Sequence, residues 1–101
     1  MIIRMARWHC QAALAQEAED LFSSGAVPLL SRQPGFIYCQ LLGIDNETKR
    51  IALTAWVDES SYANFVASDD MQSITEMFRP MYVEGELPVG TQYRVLRESR
   101  K

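Results

Sequence analysis

The chain opens on a mostly apolar run, Ile2 to His9, broken only by Arg4 and Arg7, which reads as a strand. From about Gln11 the period changes. Leu14, Ala18, Leu21, Phe22, Gly25 and Leu29 recur at helical spacing, with Gln16, Glu17, Glu19 and Asp20 on the opposite side. Pro28 falls inside this pattern and is expected to kink the helix or end its regular part, because it lacks an N–H and crowds the carbonyl of Ser24. Pro34-Gly35 closes the segment. Phe36 to Leu42 is a second strand, with Phe36 and Tyr38 expected on one face and Ile37, Cys39 and Leu41 on the other. A turn, "GIDNETK", leads to a third strand, Arg50 to Val57, and the short connection makes the two a hairpin. Asp58, Ser60 and Ser61 are candidate caps for a short helix around Tyr62 to Ala67. Ser68 can cap another that runs to about Met81, and Met71, Met77 and Met81 form a stripe of flexible core filler on it. Gly85 and Pro88 punctuate a loop, and Thr91 to Glu98 is a last strand.

The order β-α-β-β-α-β is the split βαβ, or ferredoxin-like, pattern of an α+β fold. Right-handed crossovers place the third strand between the first and the second, with the first and last as neighbours. Both helices then cover one face of a four-stranded antiparallel sheet. The second strand is apolar on both faces apart from Gln40. An antiparallel strand with one wet face should alternate, so a second copy closing sheet against sheet is expected, that is, a homodimer.

Composition narrows the class without changing this picture. The chain has 101 residues, room for one domain over 1–101; 48% are hydrophobic and 23% charged. A net charge of −3 argues against a nucleic-acid binder. The same strand order occurs in RNA-recognition domains, but the third strand, "KRIALTAW", lacks their Gly and stacking Phe pair. No apolar run approaches the roughly 18 residues of a membrane span, and arginines interrupt the N-terminal apolar stretch, so a cytoplasmic protein is expected. Cys10 and Cys39 are too few and too far apart for a CxxC metal site. They are expected on strands separated by a third, roughly 9–10 Å apart, beyond the roughly 7 Å limit for a disulfide.

"PGFIYCQLL", followed by "IALTAWVDESSYANFVAS" and a helix, resembles the antibiotic biosynthesis monooxygenase family over nearly the whole chain. The resemblance implies a dimeric α+β barrel with a pocket in each subunit. Some members oxidise phenolic or quinol-like substrates with O2 and no cofactor, others degrade haem, and many have no assigned substrate. The haem-degrading members use an Asn on the first strand, a Trp on the short helix and a His on the next. Those positions hold Ala6 or Arg7, Phe65 and Thr75 here, which argues against haem degradation.

The candidate chemistry is sparse. His9, the only histidine, is suited to general-base work near neutral pH; the plain alternative is a satisfied structural histidine. Tyr38 and Gln40 share a face and can hold a phenolic oxygen or sit at a dimer seam. Trp56, with Trp8 and Phe36, can wall an aromatic pocket or simply pack the core; Tyr62 is expected to pack on the helix surface. Arg7 and Arg94, on neighbouring strands with Arg4 and Arg97, can hold an anion or make cross-strand and inter-subunit ion pairs. His9, Tyr38 and Arg94 are thus the catalytic candidates, and Trp56, Phe36, Gln40 and Arg7 the substrate-binding ones. No metal set and no dinucleotide-binding Gly pattern stands out, so no cofactor is expected. The function implied is a cofactor-independent monooxygenase acting on a small aromatic. The alternative is a non-catalytic ligand-binding or accessory module.

Overall fold

The computed structural model describes residues 1–101. The strands are β1 (Ile2–His9), β2 (Phe36–Gly43), β3 (Lys49–Trp56) and β4 (Val89–Arg94), and they form an open antiparallel sheet in the order β2-β3-β1-β4. This is the α+β, ferredoxin-like arrangement expected. The helices α1 (Ala15–Leu21), α2 (Val27–Ser31), α3 (Glu59–Val66) and α4 (Asp69–Phe78) pack on one face. Even-numbered residues of β1 face them. Ile2 and Trp8 enter the core, and their neighbours across the sheet follow the same phase.

Pro28 is accommodated by a change of helix type rather than a break. Phe22–Ala26 forms a π turn in which the Val27 N–H donates to the Phe22 carbonyl, and Pro28 then enters the first turn of α2, where a missing N–H costs little. The side chain of Asp58 accepts from the Ser61 N–H at 2.8 Å and so starts α3 at Glu59, three residues before Tyr62. Ser68 caps α4 as expected, through Met71 N–H at 3.2 Å. Regular α-helix stops at Phe78 and a tighter turn, Arg79–Met81, follows, because Pro80 cannot donate. The last strand lies earlier than the pattern suggested. β4 pairs only with β1, and past Ile2↔Arg94 one further bond, from the Val95 N–H to the Met1 carbonyl at 3.0 Å, uses the residue just before Ile2.

One expectation about faces needs correction. Phe36 pairs with Trp56, but Tyr38 pairs with Ala55, so Ile37 is an extra residue in a β-bulge. A one-residue insertion shifts the phase of everything before it. Phe36 therefore shares the helix-covered face with Cys39 and Leu41, and Tyr38 lies on the opposite face with Gln40. Gly35, just before the bulge, has φ +81 and accepts from the Val57 N–H at 2.8 Å. A Cβ there would also overlap the Ser61 side chain, so only glycine fits.

Both cysteines are free; Cys10 is buried and Cys39 half-buried. Burial pushes both thiols up. They stay protonated at neutral pH and are packing residues rather than nucleophiles. No helix is long and apolar enough to cross a membrane.

Candidate functional site

Two aromatic clusters form on the helix-covered face. At one end Trp56, fully buried, packs against Phe36 at 5.5 Å, Tyr62 at 5.7 Å and Phe65 at 5.1 Å between ring centroids. At the other end Trp8 meets Phe78 and Tyr82 edge-on, each at 5.7 Å. Between them the sheet floor is low. Gly90, Ala6 and Ala52 are paired across three adjacent strands, and Ala26 stands over them on the π turn. Large walls with small residues between them leave a cavity of about 390 Å³. Phe22, Leu30, Met71, Ile74 and Leu87 complete its apolar lining.

Polar groups at the wall are few. Thr54 accepts from the Trp56 indole N–H at 2.8 Å, and Thr75 donates back to the Met71 carbonyl at 2.9 Å. The Tyr62 ring lies under Arg4, whose guanidinium carbon is 4.8 Å from the ring centre. Burial pushes the Tyr82 phenol up, against a smaller opposing effect of Arg79. Its hydroxyl is thus a hydrogen-bond donor at neutral pH, not a base. Arg4 and Arg79 are the charged residues of the lining; no Asp, Glu, His, Lys or Cys is among them.

The residues singled out from the sequence do not converge on this space. Trp56 and Phe36 build the cluster at one end without lining the cavity, and Tyr38 and Gln40 are on the other face of the sheet. Arg94 is exposed on the edge strand. His9 and Arg7 line a separate, shallower recess of about 690 Å³ at the end of the helix-free face, with Lys49, Arg50 and Glu86. There Arg7 donates to the Thr91 hydroxyl at 2.9 Å and, more weakly, to the Tyr93 hydroxyl at 3.4 Å. His9 has both ring nitrogens engaged, Nδ1 with a Glu86 carboxylate oxygen at 2.7 Å and Nε2 with the Thr48 hydroxyl at 2.8 Å. A carboxylate only accepts, so Nδ1 carries a proton in its contact with Glu86. Held in this way, His9 ties the loop bearing Glu86 and Leu87 to the end of β1.

Phe78, Tyr82 and Gly90 were not singled out from the sequence, Tyr62 was expected on the helix surface, and Arg4 stood only as one of four arginines on the first and last strands. Tyr62 is not a surface residue of its helix but packs on Trp56. A signal did exist. The period-two phase of β1 that buries Ile2 and Trp8 also aims Arg4 and Ala6 inward. Of the positions compared with haem-degrading members, Phe65 and Thr75 line the cavity, and of the two first-strand alternatives Ala6 lines it and Arg7 does not.

The fold is shared with solved proteins. The cofactor-independent oxygenase SnoaB from Streptomyces nogalater aligns with 17% identity over 99% of this chain and 97% of its own, with a TM-score of 0.81. A mutant of MhuD with two manganese protoporphyrin IX bound per active site aligns with 16% identity over the whole of both chains, TM-score 0.80. A conserved protein from Methanosarcina mazei Go1 aligns with 20% identity over 92% and 90%, TM-score 0.79. At these identities the likeness speaks for the fold alone. No curated protein matches the chain. The sequence model of the antibiotic biosynthesis monooxygenase family matches residues 1–77, most of the chain and every element from β1 to nearly the end of α4, and the protein belongs to that family.

Proposed function

We propose that the protein is a cofactor-independent monooxygenase that binds a small phenol- or quinol-like aromatic between sheet and helices and oxidises it with O2. The observation that carries this reading is the apolar cavity of about 390 Å³ held between two aromatic clusters. Such pockets take flat apolar ligands and orient them with a few polar groups. SnoaB, described as a cofactor-independent oxygenase, has the same fold and supports it. The chemistry balances without a reductant. A hydroquinone and O2 give a hydroxyquinone and water: one oxygen atom replaces a ring hydrogen, the other leaves as water, and the quinol supplies all the electrons. The walls hold the ring and exclude water, while the Tyr82 hydroxyl donates to a ligand oxygen.

The assay is oxygen uptake against polyphenols and hydroxynaphthoquinols, with wild type beside Ala52→Leu, which fills the cavity floor. Uptake that is enzyme-dependent, survives chelator and falls in the variant supports the monooxygenase. One observation favours a second reading, a non-catalytic ligand-binding module: no carboxylate, imidazole or amine lines the cavity to serve as base. Saturable binding without uptake above the spontaneous rate supports that reading instead.

We also propose a homodimer in the cytoplasm. The helix-free face carries the half-buried Ile3, Met5 and Ile51 beside the buried Leu53, with Val89 63% and Tyr93 45% exposed at its edge. Covering large side chains is worth roughly 1.5–3 kcal/mol each, and bare apolar faces promote association. Light scattering at micromolar concentration is expected to give twice the 11.5 kDa chain mass; a stable monomer would remove the basis for the dimer.

A further inference from the structure

Arg4 carries a charge that nothing in the chain uses. It is half-buried in the cavity wall. The ion pairs of the fold engage His9, Arg32, Arg50 and Arg100, and Arg4 takes part in none of them. Nor does its side chain form a hydrogen bond; its contact is the face of Tyr62. Glu59, on the same side of the sheet, accepts from Gln92 instead. Room for the guanidinium comes from Gly90, where a Cβ would overlap one of its terminal nitrogens. A guanidinium has five N–H donors in a flat fork that matches a carboxylate, and leaving a partly desolvated charge without a partner is unfavourable. No buried side-chain nitrogen or oxygen of the fold lacks a partner, so the guanidinium nitrogens stay open to solvent and to an anion that arrives with a ligand.

We propose that the cavity selects an aromatic acid, its ring over the Ala6–Ala52 floor and its carboxylate paired with the Arg4 guanidinium. This rests on the cavity being the ligand site, and it adds a charge requirement that a phenol alone does not meet, since a phenol is neutral at pH 7. Tyr62 and Gly90 are positioning residues for Arg4: one supplies a surface for the guanidinium to lie on, the other the space beside it.

The test compares two probes of the same shape, 2-naphthoate and 2-naphthamide, by calorimetric titration at pH 7, on wild type and Arg4→Gln. Wild type is expected to bind the acid about 10- to 100-fold more tightly than the amide, the range for hydrogen bonds to a charged group. Arg4→Gln is expected to bring the acid down to the affinity of the amide while leaving the amide within about twofold, because the ring contacts are untouched. Equal affinities in wild type overturn the proposal, and that comparison needs no variant to fold. A preference that survives Arg4→Gln also overturns it and assigns the charge to Arg79. If neither probe binds, the aromatic cavity reading fails and this inference falls with it; binding of the amide alone keeps the cavity and refutes the acid.

Discussion

The buried indole of Trp56 offers a sharp test of how this fold is held together. Trp56 is fully buried and has one polar atom, whose N–H donates to Thr54 Oγ1 at 2.8 Å. Thr54→Val keeps the shape of the side chain and removes the acceptor. A buried donor left without a partner costs about 1–3 kcal/mol. With an unfolding entropy of about 2.1 cal/mol/K per residue, a chain of this size loses roughly 5 °C of Tm per kcal/mol, so Thr54→Val is expected to lower Tm by about 5–14 °C. Thr54→Ser keeps the oxygen and is expected to lose much less. In a Trp56→Phe background there is no donor to orphan, and Thr54→Val is expected to be nearly neutral, so the double-mutant cycle isolates the hydrogen bond. Thermal melts of the four proteins at one concentration provide the measurement, since association would make Tm concentration-dependent. A Thr54→Val Tm within about 1 °C of wild type would refute the reasoning and mean that water from the adjoining cavity satisfies the indole.

Other outcomes follow from single features. Asp58 is held below the usual carboxylate range, chiefly by the Ser61 backbone N–H and then by the Ser61 and Ser60 hydroxyls. Because its folded value is the lower one, its contribution is complete above the unfolded value of about 3.9 and is lost as pH falls through the folded value. Asp58→Asn keeps a cap but cannot titrate, so its Tm is expected to fall less steeply than that of wild type in melts from pH 5 to pH 2; parallel curves would sink the idea. Gly35→Ala forces a side chain into φ +81 and into Ser61. It is expected to cost at least about 1 kcal/mol in urea denaturation, and an unchanged midpoint would count against the strain argument. Haemin with a reductant is expected to give no product bands in absorption spectra, because Ala6, Phe65 and Thr75 supply none of the groups used by haem-degrading relatives; saturable degradation would contradict this.

Much of the architecture was legible in the chain because it follows from short-range rules. The mostly apolar run of β1 set its ends at Ile2 and His9, the hairpin came from one polar turn, and Ser68 announced α4 through its hydroxyl. Right-handed crossover then left one economical strand order, and that order is the one observed. The family resemblance rested on the same local features. It also marked Phe65 and Thr75, which prove to line one cavity, and left the first-strand position between Ala6, which lines it, and Arg7, which does not.

The site depended on phase and on neighbours far along the chain, and neither is written locally. A single bulged residue, Ile37, decides whether Phe36 faces the helices or the open side, and nothing in "PGFIYCQ" requires an insertion there. The cavity floor forms because Ala6 and Ala52 meet across two strands, and a pocket is an absence of atoms that becomes visible only once those strands are in register. Lone residues misled for the same reason. His9 is rare and chemically versatile, yet its partners Thr48 and Glu86 lie 39 and 77 residues away and bind both its nitrogens. Arg4 is one arginine among several, and only the fold shows that it alone stands half-buried in an apolar wall with no partner. Local chemistry dictates elements, because their hydrogen bonds and caps lie within a few residues; tertiary structure assigns roles, because burial and charge compensation are properties of whatever the fold brings alongside.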